Sequence, residues 1–180
     1  SNGTPIEGLY VDQVDEGGDV AANNLNKRYL GSPAADYVVG ISSRFTYKNF
    51  DLAFSGRYSY GNMVYNNNAS NRALYQQLYN QSGYISNILA SVSETNFFTA
   101  QYWSDHYLED ASYFRLDYAS LGYSFKELLT DKLSGRVSFT VQNAFTITNY
   151  TGLDPEVSNG IDNNIFPRPR TYMLGLNLNF

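Results

Sequence analysis

The chain has 180 residues, enough for one domain with a sizeable core, and carries a net charge of −5. That charge argues against nucleic acid as a partner, because no basic stripe is present to neutralise phosphates. Cysteine is absent, which excludes a disulfide framework and thiolate metal sites. No apolar run reaches the roughly 18 residues that a transmembrane helix needs.

Aromatic residues set the composition apart. The chain has 17 tyrosines and 11 phenylalanines, so the aromatic share is 16%, whereas the hydrophobic share of 43% is ordinary. Tyrosine combines an apolar ring with a polar tip, which suits β-strands that meet both lipid and water.

Five segments alternate between apolar and polar residues with a period of two, the pattern of a strand with one apolar face. In chain order, the predicted strands cover residues 37–47, 50–61, 112–125, 134–147 and 170–180. In the third segment the alternation changes phase. Even-numbered residues from Phe114 to Tyr118 share one face, and odd-numbered residues from Leu121 onward continue it. A β-bulge near Ala119 and Ser120 would restore the register.

The predicted strands are long, and the connections between them differ in length. Ten steps of about 3.3 Å, tilted by about 40°, span roughly 25 Å, the height of the apolar band of an outer-membrane barrel. Lys48 and Asn49 form a two-residue turn, whereas residues 61–111 and 148–168 form long loops, which outer-membrane barrels place outside the cell. The fold predicted is therefore all-β: an antiparallel transmembrane β-barrel segment with about five long strands and long extracellular loops.

Two alternatives remain open at this point. One is a soluble extracellular β-sandwich that binds glycans through tyrosine and tryptophan, although sandwich strands are shorter and seldom this aromatic. The other is a closed structural barrel without transport. Solubility without detergent would separate the first alternative from the membrane barrel, and a plug domain upstream would exclude the second.

Four ordered motifs resemble the SusC/RagA-type TonB-dependent transporters of the bacterial outer membrane. They occupy residues 29–61, 104–116 with 121–125, 142–156, and 166–172 with the closing 175–180. The most specific runs from Gln142 through Gly152-Leu153-Asp154-Pro155-Glu156. Two positions depart from the family pattern: His106 stands where arginine is frequent, and Ala111 where glycine is frequent. Residues 12–19 are acidic but break the spacing of the family's calcium-like loop, so we predict neither a metal nor a cofactor.

The resemblance implies the domain organisation and the partners. Residues 1–180 would be the C-terminal part of a barrel of about 22 strands that encloses a plug domain. Residues 1–36 would form an extracellular loop or partial strand, and 37–180 the barrel strands and loops. The protein would be integral to the bacterial outer membrane, with a periplasmic C-terminus. Its partners would be outer-membrane lipid, the remaining barrel and plug, TonB, a SusD-like surface lipoprotein and an oligosaccharide or peptide substrate.

Catalysis is not predicted. His106 is the one histidine, and its sequence neighbours cannot converge with it on one reacting atom. Glu109 and Asp110 point to opposite sides of an extended chain, which disfavours a joint acid–base role.

The long outer loop is the predicted substrate-contacting region. Aromatic rings are concentrated there, and rings of this kind stack on sugar faces and peptide side chains. The candidate substrate-binding residues are Tyr102, Trp103, Asp105, His106 and Tyr107. The alternative is that these rings pack the loop itself or the lid partner.

Charged residues on the polar faces of the strands are predicted to face the lumen, because a lipid face would not tolerate them. They are Arg44, Arg57, Arg115, Arg136, Asp51 and Asp117. We expect them to bond to one another or to the plug. Leu176, Leu178 and the terminal Phe180 are predicted to form the signal that the barrel-assembly machinery reads.

Overall fold

The structure, a computed structural model, describes residues 5–12, 26–79, 83, 87–126, 133–163 and 166–179. The chain divides into two compact units. The sheet unit comprises Ala35–Asn62, Ala111–Pro155 and Phe166–Phe180, and the loop unit comprises Ser1–Ala34, Met63–Asp110 and Glu156–Ile165. Among the described residues, no helix is long and apolar enough to cross a membrane.

The sheet unit contains five long antiparallel strands. They are β1 (Tyr37–Tyr47), β2 (Phe50–Tyr60), β5 (Tyr113–Phe125), β6 (Ser134–Thr148) and β7 (Thr171–Asn179). They are neighbours in that order, each antiparallel to the next. The predicted all-β antiparallel fold is confirmed, with strand ends within a residue or so of those expected.

Strand register keeps the two faces of the sheet chemically distinct. Residues that pair directly across an antiparallel ladder lie on the same face. Leu121 pairs with Phe139 and Val137 with Leu176, so the apolar face continues from β5 to β7. Arg136 pairs with Asn177 on the opposite, polar face. The apolar sides of 137–147 and 172–179 thus point the same way, as the alternation predicts.

Large side chains on the apolar face are exposed, which is the reverse of their arrangement in a soluble domain. On the apolar face, Leu174 is 78% exposed, Leu176 65% and Phe45 57%. On the polar face Ser120 is only 5% exposed, and its hydroxyl lies 2.9 Å from that of Thr140. Large exposed apolar patches mark surfaces that meet a partner or a membrane.

The bulge in β5 lies earlier than predicted. The ladders to both neighbouring strands are interrupted between Leu116 and Tyr118, so the irregular residue is Asp117 rather than Ala119 or Ser120. Tyr118 therefore pairs with Ser55 on the polar face, and its assignment to the apolar face was wrong. The alternation cannot locate the bulge, because Tyr118 fits either face by its chemistry.

The turn between β1 and β2 is the predicted two-residue hairpin. Tyr47 pairs with Phe50, and Lys48 adopts a left-handed φ of 51°. Turns of this kind match the right-handed twist of the strands that they connect.

The loop unit gives the long predicted loops their own structure. Strands β3 (Met63–Tyr65) and β4 (Leu108–Asp110) form a short antiparallel pair. Helices α1 (Asn67–Arg72) and α2 (Val92–Thr95) lie between these two strands in the chain. The Asn66 side chain caps α1 by accepting a 2.9 Å hydrogen bond from the Ala69 amide. Its interior includes Val64, Leu74, Val92, Phe97 and Tyr107.

Candidate functional site

The predicted substrate-binding residues fall on a turn and a short 3-10 helix of the loop unit. The 3-10 helix covers Asp105–Tyr107, and the Ser104 hydroxyl caps it by accepting a 3.2 Å hydrogen bond from the His106 amide. Serine is favoured at this position because its side chain satisfies an amide that the helix cannot. This cap fixes where the following side chains emerge.

Tyr107 does not reach the surface. It is 4% exposed, and its ring makes edge contacts with Tyr65 at 6.4 Å and His106 at 4.9 Å between centroids. Burial is the main cause that raises the pKa of the Tyr107 phenol above its usual value. The structure therefore brings Tyr107 into the packing of the loop unit, which favours the alternative interpretation for this one residue.

Trp103 and Tyr102, by contrast, are exposed, and Trp103 is 79% exposed. The Trp103 ring stacks on Tyr65, with centroids 5.6 Å apart and planes 24° apart. Its backbone adopts a left-handed φ of 59°, and its amide donates a 3.0 Å hydrogen bond to the Tyr65 hydroxyl.

Asp105 and His106 complete the predicted set at the surface. Asp105 forms a 2.7 Å ion pair with Arg28, and both side chains are about half exposed. An ion pair this exposed contributes little to stability, because water solvates both partners. His106 lies edge-on between Phe97 and Tyr107. In the described ranges no group of three or more His, Cys, Asp or Glu side chains could hold a metal ion.

A contact that sequence reasoning missed joins residues 5–12 to residues 98–102. The Glu7 carboxylate accepts hydrogen bonds from the Phe98 amide at 3.0 Å, from the Thr99 amide at 2.8 Å and from the Thr99 hydroxyl. The hydrogen bond from the Phe98 amide is the main cause that lowers the pKa of Glu7, and the two bonds from Thr99 lower it further. The Tyr10 hydroxyl donates to the Tyr102 carbonyl at 3.2 Å. More than 90 positions separate these partners, so no local pattern could have revealed them.

Charges on the polar face of the sheet unit pair with one another. Arg136 donates from Nε and Nη2 to the two carboxylate oxygens of Asp51, at 2.9 and 2.6 Å. This two-bond geometry is the strongest that arginine makes with a carboxylate. Gly122 of β5 lies between the two residues, and a Cβ there would collide with both side chains. Arg57 lies 3.5 Å from Asp117.

Asp154 supplies the third pair, although no charge-pairing role was predicted for it. It lies in the Gly152–Glu156 motif, which by pattern alone indicates loop punctuation. Arg115 donates a 2.6 Å bond to Asp154, and the two side chains are only 3% and 6% exposed. The Arg115 Nε also donates to the Thr146 hydroxyl at 3.1 Å. A cavity of about 240 Å³ is lined by these residues together with Arg168 and Arg170.

The predicted assembly signal and the acidic segment are only partly described by the structure. Leu176 and Leu178 lie on the apolar face of β7, opposite Val137 and Gly135 of β6. Phe180 and residues 13–25, which include most of the acidic segment, lie outside the described residues.

Comparison with known proteins gives matches over nearly the whole chain, although no protein-family model matches. The TonB-dependent receptor SusC of Bacteroides thetaiotaomicron is 40% identical over 185 residues, covering 99% of this chain and 18% of SusC. The TonB-dependent receptor P3 of Formosa agariphila is 28% identical over 198 residues, covering 96% of this chain and 19% of that receptor. This chain therefore spans about a fifth of the length of the curated relatives that it matches.

Solved structures show the same fold. The structure of the RagAB peptide transporter superposes with a TM-score of 0.66 at 23% identity, over 83% of this chain and 18% of that one. The RagAB peptide importer in its open-open state gives a TM-score of 0.65 at 21% identity, over 85% of this chain and 18% of that one. The chain is therefore similar over 99% of its length to the TonB-dependent receptor SusC and shares its fold with the RagAB peptide transporter, as its motifs predict.

Proposed function

We propose that this chain is the C-terminal barrel portion of a TonB-dependent outer-membrane transporter that imports oligosaccharides or peptides together with a SusD-like surface lipoprotein. One observation carries the proposal: the sheet exposes its large apolar side chains on one face and pairs its charges on the other. Its strands contain nine to 15 residues. Lipid is the solvent in which such a face is stable, because a barrel strand alternates apolar-out and polar-in.

The partners follow from the relatives and from the size of the chain. Its curated relatives are named TonB-dependent receptors, and RagAB is described as a peptide transporter. A closed membrane barrel needs at least about eight strands. The five strands of the sheet unit would therefore pair with strands from the rest of the transporter, which would also supply the plug and the TonB-contacting segment.

The topology proposed places the loop unit outside the cell and the β1–β2 turn in the periplasm, together with the C-terminus. The hydrogen bonds of Glu7 and Tyr10 to residues 98–102 support assigning the start of the chain to the same outer loops. A protease added to intact cells should cleave within residues 62–111 and spare Lys48-Asn49. Cleavage at the turn alone would invert this topology.

Import itself is tested with the full-length transporter in its own cells. Labelled oligosaccharides and peptides are offered to the wild-type strain and to a strain that lacks TonB, with cells lacking the transporter as the control. We expect uptake that requires both TonB and the transporter. Recovery of the transporter in the soluble fraction without detergent would instead favour the soluble glycan-binding alternative.

A further inference from the structure

The Trp103 indole is a flat surface that the loop unit presents to solvent. The Tyr65 ring backs it at 5.6 Å with planes only 24° apart, yet 79% of Trp103 remains exposed. Tyr65 therefore covers one face of the indole and leaves the other open. An open indole face is unusual because burying it would be favourable.

The backbone of Trp103 is held in an unfavourable conformation. A φ of 59° is a genuine outlier for a bulky side chain, because Cβ crowds the neighbouring carbonyl. The Tyr65 hydroxyl accepts the Trp103 amide at 3.0 Å, so one residue orients both the ring and the main chain. Strain of this kind persists only where the surroundings impose it, and it is concentrated at ligand-binding sites.

Tyr65 is itself firmly placed. Its amide donates to the Gly160 carbonyl at 2.8 Å, and its carbonyl accepts from the Asp162 amide at 3.0 Å. Its ring also contacts the buried Tyr107 edge-on. The support beneath Trp103 is therefore tied to β3, to the 160–162 segment and to the interior of the loop unit.

The chemistry of this surface fits a sugar ring. The face of an indole carries negative charge, which attracts the weakly positive C–H groups on the flat side of a pyranose. Asp105, two positions after Trp103, is paired with Arg28 at 2.7 Å, and this half-exposed pair provides an acceptor and a donor for hydroxyl groups. Extended peptides are bound instead along strand edges or in side-chain pockets. Trp103 lies in a turn and provides neither.

We propose that Trp103, backed by Tyr65, is a stacking platform for a pyranose ring of an oligosaccharide substrate. This deepens the proposed function and rests on it, since it selects sugars over peptides among the substrates considered above.

The test measures binding to the full-length transporter, purified in detergent, by calorimetry. The probes are neutral α-glucan, β-glucan and β-mannan hexaoses and a set of hexapeptides. Trp103→Gly removes the ring and relieves the backbone, because glycine accepts a positive φ, so folding should be preserved. Trp103→Phe keeps a ring, and Tyr65→Phe keeps the stack but removes the hydroxyl. Tyr79→Ala is the matched control, because Tyr79 is an equally exposed ring of the same unit.

We expect Trp103→Gly to weaken binding of at least one hexaose about tenfold or more, on the scale of base–aromatic stacking. Trp103→Phe should retain most of the affinity, Tyr65→Phe should be intermediate and Tyr79→Ala unchanged. Three results would each overturn the proposal. The first is unchanged hexaose affinity in Trp103→Gly, and the second is no hexaose binding by the wild type. The third is a Trp103→Gly variant that loses binding of the lipoprotein partner but keeps binding of the hexaoses.

Uptake in intact cells separates this proposal from the function on which it rests. TonB-dependent import of peptides alone would contradict the proposed role of Trp103 in binding sugar. It would leave the transporter assignment unchanged. Absence of any TonB-dependent uptake would contradict the transporter assignment itself, whatever the binding data show.

Discussion

Replacing Leu176 by arginine should destabilise the membrane-inserted barrel. Leu176 is 65% exposed on the apolar face of β7 and pairs with Val137. Four steps separate it from the chain end, and at about 3.3 Å per residue and about 40° of tilt this corresponds to roughly 10 Å of depth. In the proposed topology, which places residue 180 at the periplasmic interface, Leu176 lies near the middle of the apolar band of about 25 Å. Arginine at that depth costs about 2–4 kcal/mol.

Asn177→Arg is the matched control, one residue along on the polar face. Asn177 pairs directly with Arg136, so a second arginine there adds like-charge repulsion. Directly opposed like charges in a sheet cost roughly 0.2–1 kcal/mol, and water in the lumen screens them further. Arg136 is in addition neutralised by its bond to Asp51. The control should therefore cost less than the test by at least about 1 kcal/mol.

The assay is a denaturant titration of the full-length barrel refolded into lipid vesicles, comparing the free energy of unfolding of both variants with the wild type. A parallel titration in vesicles with thinner hydrocarbon cores should reduce the cost for Leu176→Arg only, because the charge then lies closer to water. Equal costs for the two variants would refute the assignment of faces and, with it, the membrane interpretation of the sheet.

Three further changes test other parts of the structure. Gly122→Ala should displace the Arg136–Asp51 pair and lower the free energy of unfolding, with little further loss when Arg136→Ala is added. Additive losses in that double-mutant cycle would contradict the close approach of this pair to Gly122. Because the folded pKa of Glu7 is lowered, its stabilising bonds should persist above the usual carboxylate pKa and disappear as pH falls through the lowered value. Hydrogen exchange of the amides that it binds should show this loss, and Glu7→Gln should abolish the pH dependence. Deleting Phe180 should reduce the number of barrels in the membrane while uptake per surviving barrel stays near normal, measured by surface labelling; normal barrel levels with lost uptake would show that Phe180 serves transport.

The sheet was predictable because one local rule governs it. A period of two places Leu174 and Leu176 on one face wherever the strand lies, and long runs of that period leave few alternative registers. The rule failed at Asp117, where a bulge inserts a residue and the alternation on either side looks equally regular. Tyr118 carries both an apolar ring and a hydroxyl, so its chemistry could not reveal the displaced phase.

The loop unit was far less predictable, because its structure depends on contacts between distant residues. Tyr65 and Trp103 are 38 positions apart, and Glu7 and Phe98 are 91 apart. The concentration of aromatic residues indicated where a surface would form. Trp103 is exposed and Tyr107 is buried. This difference depends on packing between distant residues, which the periodicity of the sequence does not encode.

The paired charges on the polar face of the sheet would attract a passing anionic substrate only weakly. Arg57, Arg115 and Arg136 each have a carboxylate within 3.5 Å, and Arg57 pairs directly with Arg115 across the ladder. An arginine paired in this way attracts a distant anion weakly, because the field of the pair falls off faster than that of a single charge. Arg115 is also shielded from solvent, being 3% exposed. These arginines therefore hold neighbouring strands and loops together, which supports the proposal that exposed groups of the loop unit contact the substrate.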